Sequence, residues 1–358
     1  MSKAILTAAA ILTLAATALA GPYQIIDLGT LGGSYSDAQA VNNRGEVLGY
    51  SETAKGEYHQ FLYSGGAMTD LSATIGAYGW AGGLNDRGDI VGYRATDTTT
   101  WAYRAFVSQD GVTRDLGTLG GNYSFGLAIN NAGQVAGYST VASGEYRAFR
   151  YDGDTMTNLG TLGGTTSYAT GINNAGQIVG TSTISGKGWE YHAFLSDGKV
   201  MTDLGTLGGG GSWASDVNDL GQVVGNSAAA DGQTRAFLWQ DGKMIDLGVD
   251  GAYSSADRVN NLGQVLGTRE TAEGESVAFL YDQGTLADIQ SLVPADSGWR
   301  LWGAVDINDV GQIIGYGDFN GQSRAFLLTP SPGPVPEPAT LGLLAAGGAV
   351  MLLKRRRK

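Results

Sequence analysis

The sequence contains one motif seven times, and this repetition limits the possible folds more than any other feature. The motif is an asparagine, two further residues, a glycine and an apolar run that ends in glycine, as in NNAGQIVG at residues 173–180. A fixed period in this range is typical of propellers and solenoids. The leading asparagines are 42 to 48 residues apart and are Asn42, Asn85, Asn130, Asn173, Asn218, Asn260 and Asn308.

Two further strand-like elements recur with the same count. The first resembles R-A-F-L-Y and is centred on Phe61, Phe106, Phe149, Phe194, Phe237, Phe279 and Phe326. The second resembles M-T-D-L-G and is centred on Leu28, Leu71, Leu116, Leu159, Leu204, Leu247 and Ile289. Around Asn173 these elements predict strands at residues 169–172, 177–181, 192–195 and 200–204, joined by tight turns and without helical periodicity. Four antiparallel strands in about 44 residues is the size of one propeller blade.

The two ends of the repeat region favour a closed ring over an open solenoid. The region begins at residues 23–28 with an M-T-D-L-G-type strand, and ends at residues 324–328 with an R-A-F-L-Y-type strand that has no partner after it. A solenoid needs atypical capping repeats instead, whereas in a ring the first strand completes the last blade and removes its open edge. We therefore predict an all-β, seven-bladed β-propeller over residues 21–330, with four-stranded antiparallel blades and the last blade closed by the N-terminal strand.

Composition excludes several kinds of site and partner. The 58 glycines are consistent with many tight turns. The chain has no cysteine, which excludes disulfides, thiolate catalysis and cysteine-bound zinc. The formal net charge is −12, and Lys3 and the basic residues 354–358 lie outside the repeats, so the repeat region is more acidic still. Such a surface repels phosphate backbones, and nucleic acid is therefore not expected as a partner.

The two termini have the composition of targeting segments. Residues 1–20 combine Lys3, an apolar run and Ala18-Leu19-Ala20, which predicts a cleaved secretory signal, with an N-terminal anchor as the alternative. At the other end, residues 331–358 comprise a linker, the apolar stretch 339–353 and a basic tail. Fifteen residues span roughly 23 Å as a helix, so we expect a short transmembrane segment. The basic tail would stay cytoplasmic, which leaves the repeats outside.

The order of elements at the C-terminus resembles the PEP-CTERM sorting signal. Val335, Pro336, Glu337 and Pro338 precede the apolar stretch, and the stretch precedes the basic residues 354–358. The resemblance implies removal of the tail by an exosortase-type membrane protease and a setting of exopolysaccharide production and biofilm. It also implies a periplasmic or outer-surface protein that is anchored only transiently. An ordinary C-terminal anchor is the alternative.

The repeats also resemble the extracellular HAF repeat, which is named after its tripeptide. His192-Ala193-Phe194 matches this tripeptide, and R-A-F replaces it at residues 104–106, 147–149, 235–237 and 324–326. Residues 59–61 (HQF) and 277–279 (VAF) depart further. The resemblance implies export and a repeat architecture, and it carries no defined activity.

The residues that usually carry catalysis form no convincing set. His59 and His192 occupy the position that is arginine in other repeats, three blades apart, so they cannot share a metal ion. We expect each to pair with the repeating acid of its own blade, such as Asp70 or Asp203. The acids recur in equivalent places, whereas a glycosidase needs one asymmetric pair. Motifs of serine hydrolases, phosphate loops and calcium loops are missing from the sequence. We predict no catalytic residue, metal or cofactor.

Aromatic residues are the strongest candidates for a ligand site. They lie seven or five positions before the leading asparagine, a spacing that points their side chains to the same side of a strand. They are Tyr35, Tyr78, Trp80, Tyr123, Phe125, Tyr168, Trp213 and Tyr253, and the last repeat departs with Trp299 and Trp302. We expect them around one mouth of the central channel, on the face that carries the variable loops. Two interpretations stay open: carbohydrate stacking on these rings, or packing between adjacent blades.

These observations lead to three functional hypotheses. The first is an exported surface or matrix-associated binding propeller, non-catalytic, with extracellular polysaccharide as the candidate ligand. The second is a polysaccharide lyase or hydrolase on the same scaffold, which needs one blade with unique polar residues. The third is a structural or protein-interaction surface component.

Overall fold

The computed structural model describes residues 22–76, 78–97, 99, 101–188 and 190–331. It confirms the predicted architecture, because seven four-stranded antiparallel sheets form the blades of a β-propeller. The expected signal segment 1–20 and the sorting motif at residues 335–338 lie outside the described residues. Among the residues described, no helix has the length and apolar character needed to cross a membrane.

Each blade consists of four strands in the order inner to outer, and the chain fills the blades consecutively. Blades 1 to 4 comprise β2–β5 (Gly32–Val41, Val47–Thr53, Tyr58–Ser64, Ala67–Asp70), β6–β9 (Gly79–Leu84, Ile90–Asp97, Ala102–Gln109, Val112–Asp115), β10–β13 (Gly120–Ile129, Val135–Val141, Tyr146–Asp152, Thr155–Asn158) and β14–β17 (Gly163–Ile172, Ile178–Ile184, Tyr191–Ser196, Met201–Asp203). Blades 5 to 7 comprise β18–β21 (Gly208–Val217, Val223–Ala229, Thr234–Gln240, Lys243–Asp246), β22–β25 (Ser254–Val259, Val265–Glu270, Ser276–Asp282, Thr285–Asp288) and β26–β28 (Trp299–Ile307, Ile313–Phe319, Gln322–Pro330) with β1 (Tyr23–Asp27).

The N-terminal strand closes the ring as predicted. Strand β1 pairs antiparallel with β28 from Tyr23 opposite Pro330 to Asp27 opposite Phe326. The backbone N–H of Leu28 extends the pairing by donating to the Ala325 carbonyl at 3.1 Å. The side chains of Tyr23 and Leu28 are both buried. Edge-strand hydrogen bonds and the burial of apolar side chains therefore both hold the N-terminal strand in the last blade.

The hydrophobic core lies between the blades, and the seven repeated phenylalanines fill it. All seven are fully buried. In blade 1, the ring of Phe61 lies over Gly49 of the neighbouring strand, so closely that a Cβ there would come within 2.6 Å of it. At all seven motif-ending glycines, a Cβ would also come within 2.2 Å of a backbone carbonyl oxygen of the inner strand, which explains why the repeated motif ends in glycine. Each apolar cluster joins two neighbouring blades, as where Val91 and Val107 of blade 2 pack with Val135 and Phe149 of blade 3.

The leading asparagines form a closed circle of hydrogen bonds at one end of the ring. The Nδ2 of each one donates to the backbone carbonyl of the corresponding asparagine in the next blade, at 2.8–3.0 Å, and Asn308 completes the circle by donating to Asn42. The residues that follow them form a second circle, in which each backbone N–H donates to the next side-chain oxygen at 2.7–2.9 Å. We call this end of the ring the asparagine face.

One expectation about the connections between blades needs correction. The described residues include two short helical turns, α1 (Ser72–Ile75) and a 3-10 turn (Ile289–Leu292), although no helical periodicity marks them. Four residues are too few to produce a periodic pattern. Both turns stand where four other connections have the sequence G-T-L-G-G, at residues 29–33, 117–121, 160–164 and 205–209. The glycine pair of that sequence begins the inner strand, as at Gly32 and Gly163.

Candidate functional site

The predicted aromatic residues lie at the end of the ring opposite the asparagine face. Each inner strand starts there and ends at its asparagine hairpin, and the second strand returns to the same end. The variable loops between second and third strands therefore share this end, which we call the aromatic face. Tyr78, Trp213 and Tyr253 are exposed, and the remaining predicted residues are partly buried, namely Tyr35, Trp80, Tyr123, Phe125 and Tyr168.

Two of the predicted residues serve as packing between blades. Phe125 of blade 3 contacts Tyr93 and Tyr103 of blade 2, with ring centroids 4.9 and 6.0 Å apart. Tyr168 of blade 4 contacts Tyr138 of blade 3 edge-to-face at 5.1 Å. Such aromatic pairs stabilise an interface beyond their buried area. For Phe125 and Tyr168, these contacts favour the packing interpretation.

Other aromatic side chains on this face are free to meet a ligand, and the spacing rule missed three of them. Tyr58 and Trp101 lie at the ends of variable loops, and Trp302 lies six residues before its asparagine, so none fits the seven-or-five pattern. Their exposed fractions are 58%, 48% and 45%. Tyr78 is 60% exposed, and its ring stands edge-on to Trp101 at 5.6 Å.

A cavity of about 550 Å³ opens between blades 1 and 2 on the aromatic face. Tyr50, Tyr58 and Trp80 contribute its aromatic lining, and Arg258 reaches it from blade 6. The connection into blade 2 is the helical turn α1 instead of G-T-L-G-G, which makes this part of the ring unlike the regular blades. A second cavity of about 340 Å³ lies beside Tyr78 and shares Gly76 and Gly79 with the first.

Local sequence fixes the orientation of Trp80. Its ring lies against Gly82 so closely that a Cβ there would come within 2.5 Å of it. Its Nε1 donates to the side-chain oxygen of Gln39 at 3.0 Å, and the Gln39 amide nitrogen donates to the Ala81 carbonyl at 2.7 Å, the amide orientation that satisfies both neighbours. The indole is therefore held in place before any ligand arrives, which lowers the entropy cost of binding.

An acid replaces an aromatic residue at this cavity. Asp37 lies five positions before Asn42, where four other blades carry Trp, Phe or Tyr. Its Oδ2 lies 3.4 Å from the hydroxyls of Tyr35 and Tyr50, which are 3.0 Å from each other. Its Oδ1 is buried without a hydrogen-bond partner. Burial raises the pKa of Asp37 to about 6, although the two tyrosine hydroxyls lower it in part. Burial also raises the pKa of both tyrosines.

A charged cluster in the central channel also breaks the seven-fold symmetry. Asp216, Arg258 and Asp306 occupy equivalent positions in blades 5, 6 and 7, two residues before the asparagine, where blades 1 to 4 carry Ala or Gly. The Arg258 Nε lies 3.5 Å from Asp306 Oδ1. Burial raises the pKa of Asp306 to about 6, and Arg258 opposes this rise. These side chains keep some exposure because they line the channel, yet protein surrounds them.

The channel carboxylates have a structural role that their hydrogen bonds reveal. Asp306 Oδ2 accepts from the backbone N–H of Val41 in blade 1 at 2.9 Å, and Asp216 Oδ2 accepts from Val259 in blade 6 at 3.1 Å. Both acids thus tie neighbouring inner strands together. Alignment of the repeats on their asparagines shows this cluster in the sequence as well, because blades 1 to 4 carry Ala or Gly at the same position.

The two histidines pair within their own blades as predicted. His59 Nδ1 lies 2.7 Å from Asp70, and His192 Nδ1 lies 2.9 Å from Asp203. Arg235 and Asp246 make the equivalent contact at 3.0 Å, whereas Arg104 and Arg147 instead donate to the backbone carbonyls of Asn122 and Thr165. Within the described part of the chain, no three His, Cys, Asp or Glu residues are grouped to hold a metal ion.

Comparison with known families finds a sorting signal at the C-terminus. Residues 334–358 match the PEP-CTERM protein-sorting motif. This match includes the Val335-Pro336-Glu337-Pro338 sequence and supports export of the protein. No curated protein matches the chain as a relative.

Several solved structures share the fold at low sequence identity. A puromycin-hydrolyzing peptidase from Mycobacterium tuberculosis superimposes with a TM-score of 0.54 and 10% identity, over 88% of this chain and 54% of the peptidase. TolB from Acinetobacter baumannii gives 0.45 and 14% (86% and 80% of the chains), and the BP39L lectin from Burkholderia pseudomallei gives 0.44 and 9% (84% and 99%). The chain thus spans about half the length of the peptidase. These likenesses concern the fold alone.

Proposed function

We propose that this exported propeller binds an extracellular polysaccharide on its aromatic face and is not itself an enzyme. The observation that carries the proposal is the cavity between blades 1 and 2 together with the adjacent cavity on blade 2, which are lined by Tyr50, Tyr58, Tyr78 and Trp80. The C–H faces of sugar rings stack on aromatic planes, and amides such as those of Gln39 and Gln60 bond sugar hydroxyls. Two neighbouring cavities suit a polymer better than a single small molecule.

The setting of the protein supports the same proposal. The sorting motif implies recognition by an exosortase, and the resemblance of the repeats to the HAF repeat would imply an extracellular location. We propose that residues 1–20 are removed as a signal peptide, that residues 21–330 act outside the cytoplasm, and that residues 331–358 anchor the protein until processing. Exopolysaccharide of a biofilm is the ligand that this setting suggests.

Retention of the protein in gels that contain soluble polysaccharides, including the producer's own exopolysaccharide, tests the proposal. Tyr58→Ala and Trp101→Ala each remove an exposed ring beside the cavities. We expect each to weaken retention about 3- to 10-fold, the loss of one aromatic contact. Tyr253→Ala is the matched control, because Tyr253 is 41% exposed on the same face but belongs to blade 6. Equal retention of all four proteins would contradict an aromatic site.

Asp37 favours one alternative, hydrolysis of the bound polysaccharide. A carboxyl group with a pKa of about 6 beside a sugar-sized cavity has the protonation range of a general acid. If the protein hydrolyses the retained polymer, size-exclusion chromatography will show shorter chains, and Asp37→Asn will abolish them while retention continues. An unchanged elution profile for the wild type excludes this alternative.

A further inference from the structure

We propose that, while the C-terminal segment holds the protein at a membrane, the asparagine face lies against the lipid surface and the aromatic face points away from it. This inference concerns the orientation of the molecule and does not depend on the identity of any glycan. It is based on where the chain ends leave the ring, on the short linker that follows, and on exposed apolar side chains beside the exit.

Both ends of the described chain leave the ring at the asparagine face. Strand β28 runs from the aromatic face to the asparagine face and ends at Pro330, directly opposite Tyr23. The backbone N–H of Ser331 donates to the Pro22 carbonyl at 2.8 Å, so the two ends remain together. Pro330 also lies against Gly311, which belongs to the asparagine hairpin of blade 7.

The linker is barely long enough to reach the opposite face of the ring. Residues 332–338 separate the last described residue from the apolar stretch at 339–353. Fully extended, seven residues reach at most about 25 Å. A seven-residue strand such as β27, which runs between the two faces, is about 23 Å long. Reaching the opposite face along the outside of the ring would require nearly the whole linker in a fully extended form, so the tail favours the orientation in which the asparagine face is next to the membrane.

Exposed apolar side chains surround part of the asparagine face, close to the exit. They occupy the third position of the asparagine hairpins in three consecutive blades: Leu220, Leu262 and Val310, with exposed fractions of 70%, 61% and 55%. The same position carries Arg44, Arg87, Ala132 and Ala175 in blades 1 to 4. Blade 7, from which the chain leaves, is thus one of the three blades with an apolar tip. Side chains of this kind favour the boundary between headgroups and acyl chains.

Charged side chains do not attract the asparagine face to the lipid surface. Arg44 and Arg87 are paired with Glu46 and Asp89, at 2.5 and 2.6 Å, and the chain as a whole carries a net charge of −12. Anionic lipid would be repelled. The contact is therefore apolar, and zwitterionic lipid is sufficient for it.

Single labelled cysteines test the orientation, since the natural chain has none. The full chain is reconstituted in phosphatidylcholine vesicles that carry a quencher on the lipid headgroup. A fluorophore is attached at Leu262→Cys or, on the opposite face of the same blade, at the exposed Ala272→Cys. We expect quenching to be about threefold or more stronger at position 262, because the label there lies within the interfacial layer. Equal quenching, or stronger quenching at 272, would overturn the proposal.

A second set of variants tests whether the apolar side chains at the hairpin tips contact the lipid, independently of the C-terminal tail. Leu220→Ser with Val310→Ser, in the Leu262→Cys background, should reduce quenching at position 262. Ala132→Ser with Ala175→Ser changes the same hairpin position in blades 3 and 4 and should leave quenching unchanged. If Leu220→Ser with Val310→Ser left the quenching at position 262 unchanged, the hairpin tips would not contact the lipid, and the proposed surface would be wrong. All four positions are solvent-exposed tips, so the fold is expected to persist.

Discussion

The two faces of the propeller are built from the same seven repeats, but the leading asparagines at one face are uniform, whereas the aromatic positions at the other face vary. At the asparagine face the leading asparagines are used in the same way in every repeat, since each one bonds to the next around an unbroken circle. On the aromatic face the equivalent positions diverge, and Asp37 stands where Trp80 and Phe125 stand in the next two blades. The difference indicates that uniform positions maintain the ring, whereas positions that depart from the repeat are free to form a site.

The largest expected effect is a loss of stability on changing a residue of the asparagine face. Asn130→Ala removes four hydrogen bonds, in which Nδ2 donates to Asn173 and Gln134, and Oδ1 accepts from the backbone of Ala132 and Gln134. The Nδ2 bond to the Asn173 carbonyl is buried and the other three are partly buried, so water replaces the lost partners only in part. We expect the free energy of unfolding to fall by about 4 kcal/mol in chemical denaturation.

The control for this change is Ala132→Ser at the exposed tip of the same hairpin, which should stay within about 0.5 kcal/mol of the wild type. A loss below about 1 kcal/mol for Asn130→Ala would show that the circle contributes little to stability.

An intermediate effect is expected for the packed part of the aromatic face. Phe125→Ala removes the ring that joins blades 2 and 3. Since Phe125 is partly buried, we expect a loss of about 2 to 3 kcal/mol, below the cost for a fully buried phenylalanine. Polysaccharide retention should stay as in the wild type. Trp213→Ala, at a position that is 39% exposed, should cost less stability in the same denaturation series. Equal losses would mean that both rings are packing residues.

The smallest effect concerns pH. The pKa of Asp37 is raised to about 6 in the folded protein, above its ordinary value of 3.8. Well below pH 3.8 the carboxyl is protonated in both folded and unfolded chains. As the pH rises to about 6, the unfolded chain ionises first, so the wild type loses stability relative to Asp37→Asn. We expect the variant to gain about 1 to 2 kcal/mol between pH 4 and pH 7.

Denaturation of both proteins at each pH measures this gain. The comparison isolates Asp37 from Asp306, whose pKa is raised to a similar value and which titrates in both proteins. A constant difference across the range would show that Asp37 has the same pKa in the folded and unfolded chains.

The sequence was sufficient to predict the seven-bladed ring, because the residues that form the ring recur in every repeat. The repeated Phe61-type residues, the hairpin glycines and the split strand at residues 23–28 each produce a pattern that can be counted. The cavity could not be found in this way, because it exists where the pattern fails, at Asp37 and at the helical turn after Leu71. The role of the asparagines was missed for another reason, since the circle joins residues more than 40 positions apart and no local pattern shows it.

The pairing of β1 with β28 has a mechanical consequence. If the tail is held while a ligand pulls on the opposite face, the load enters at Pro330 and runs along the length of β28. The hydrogen bonds on either side of this strand lie perpendicular to it, and those to β1 and β27 therefore carry the force together in shear instead of opening one after another. A closure that removes an open edge thus also makes the attachment point the part of the ring best arranged to resist extraction.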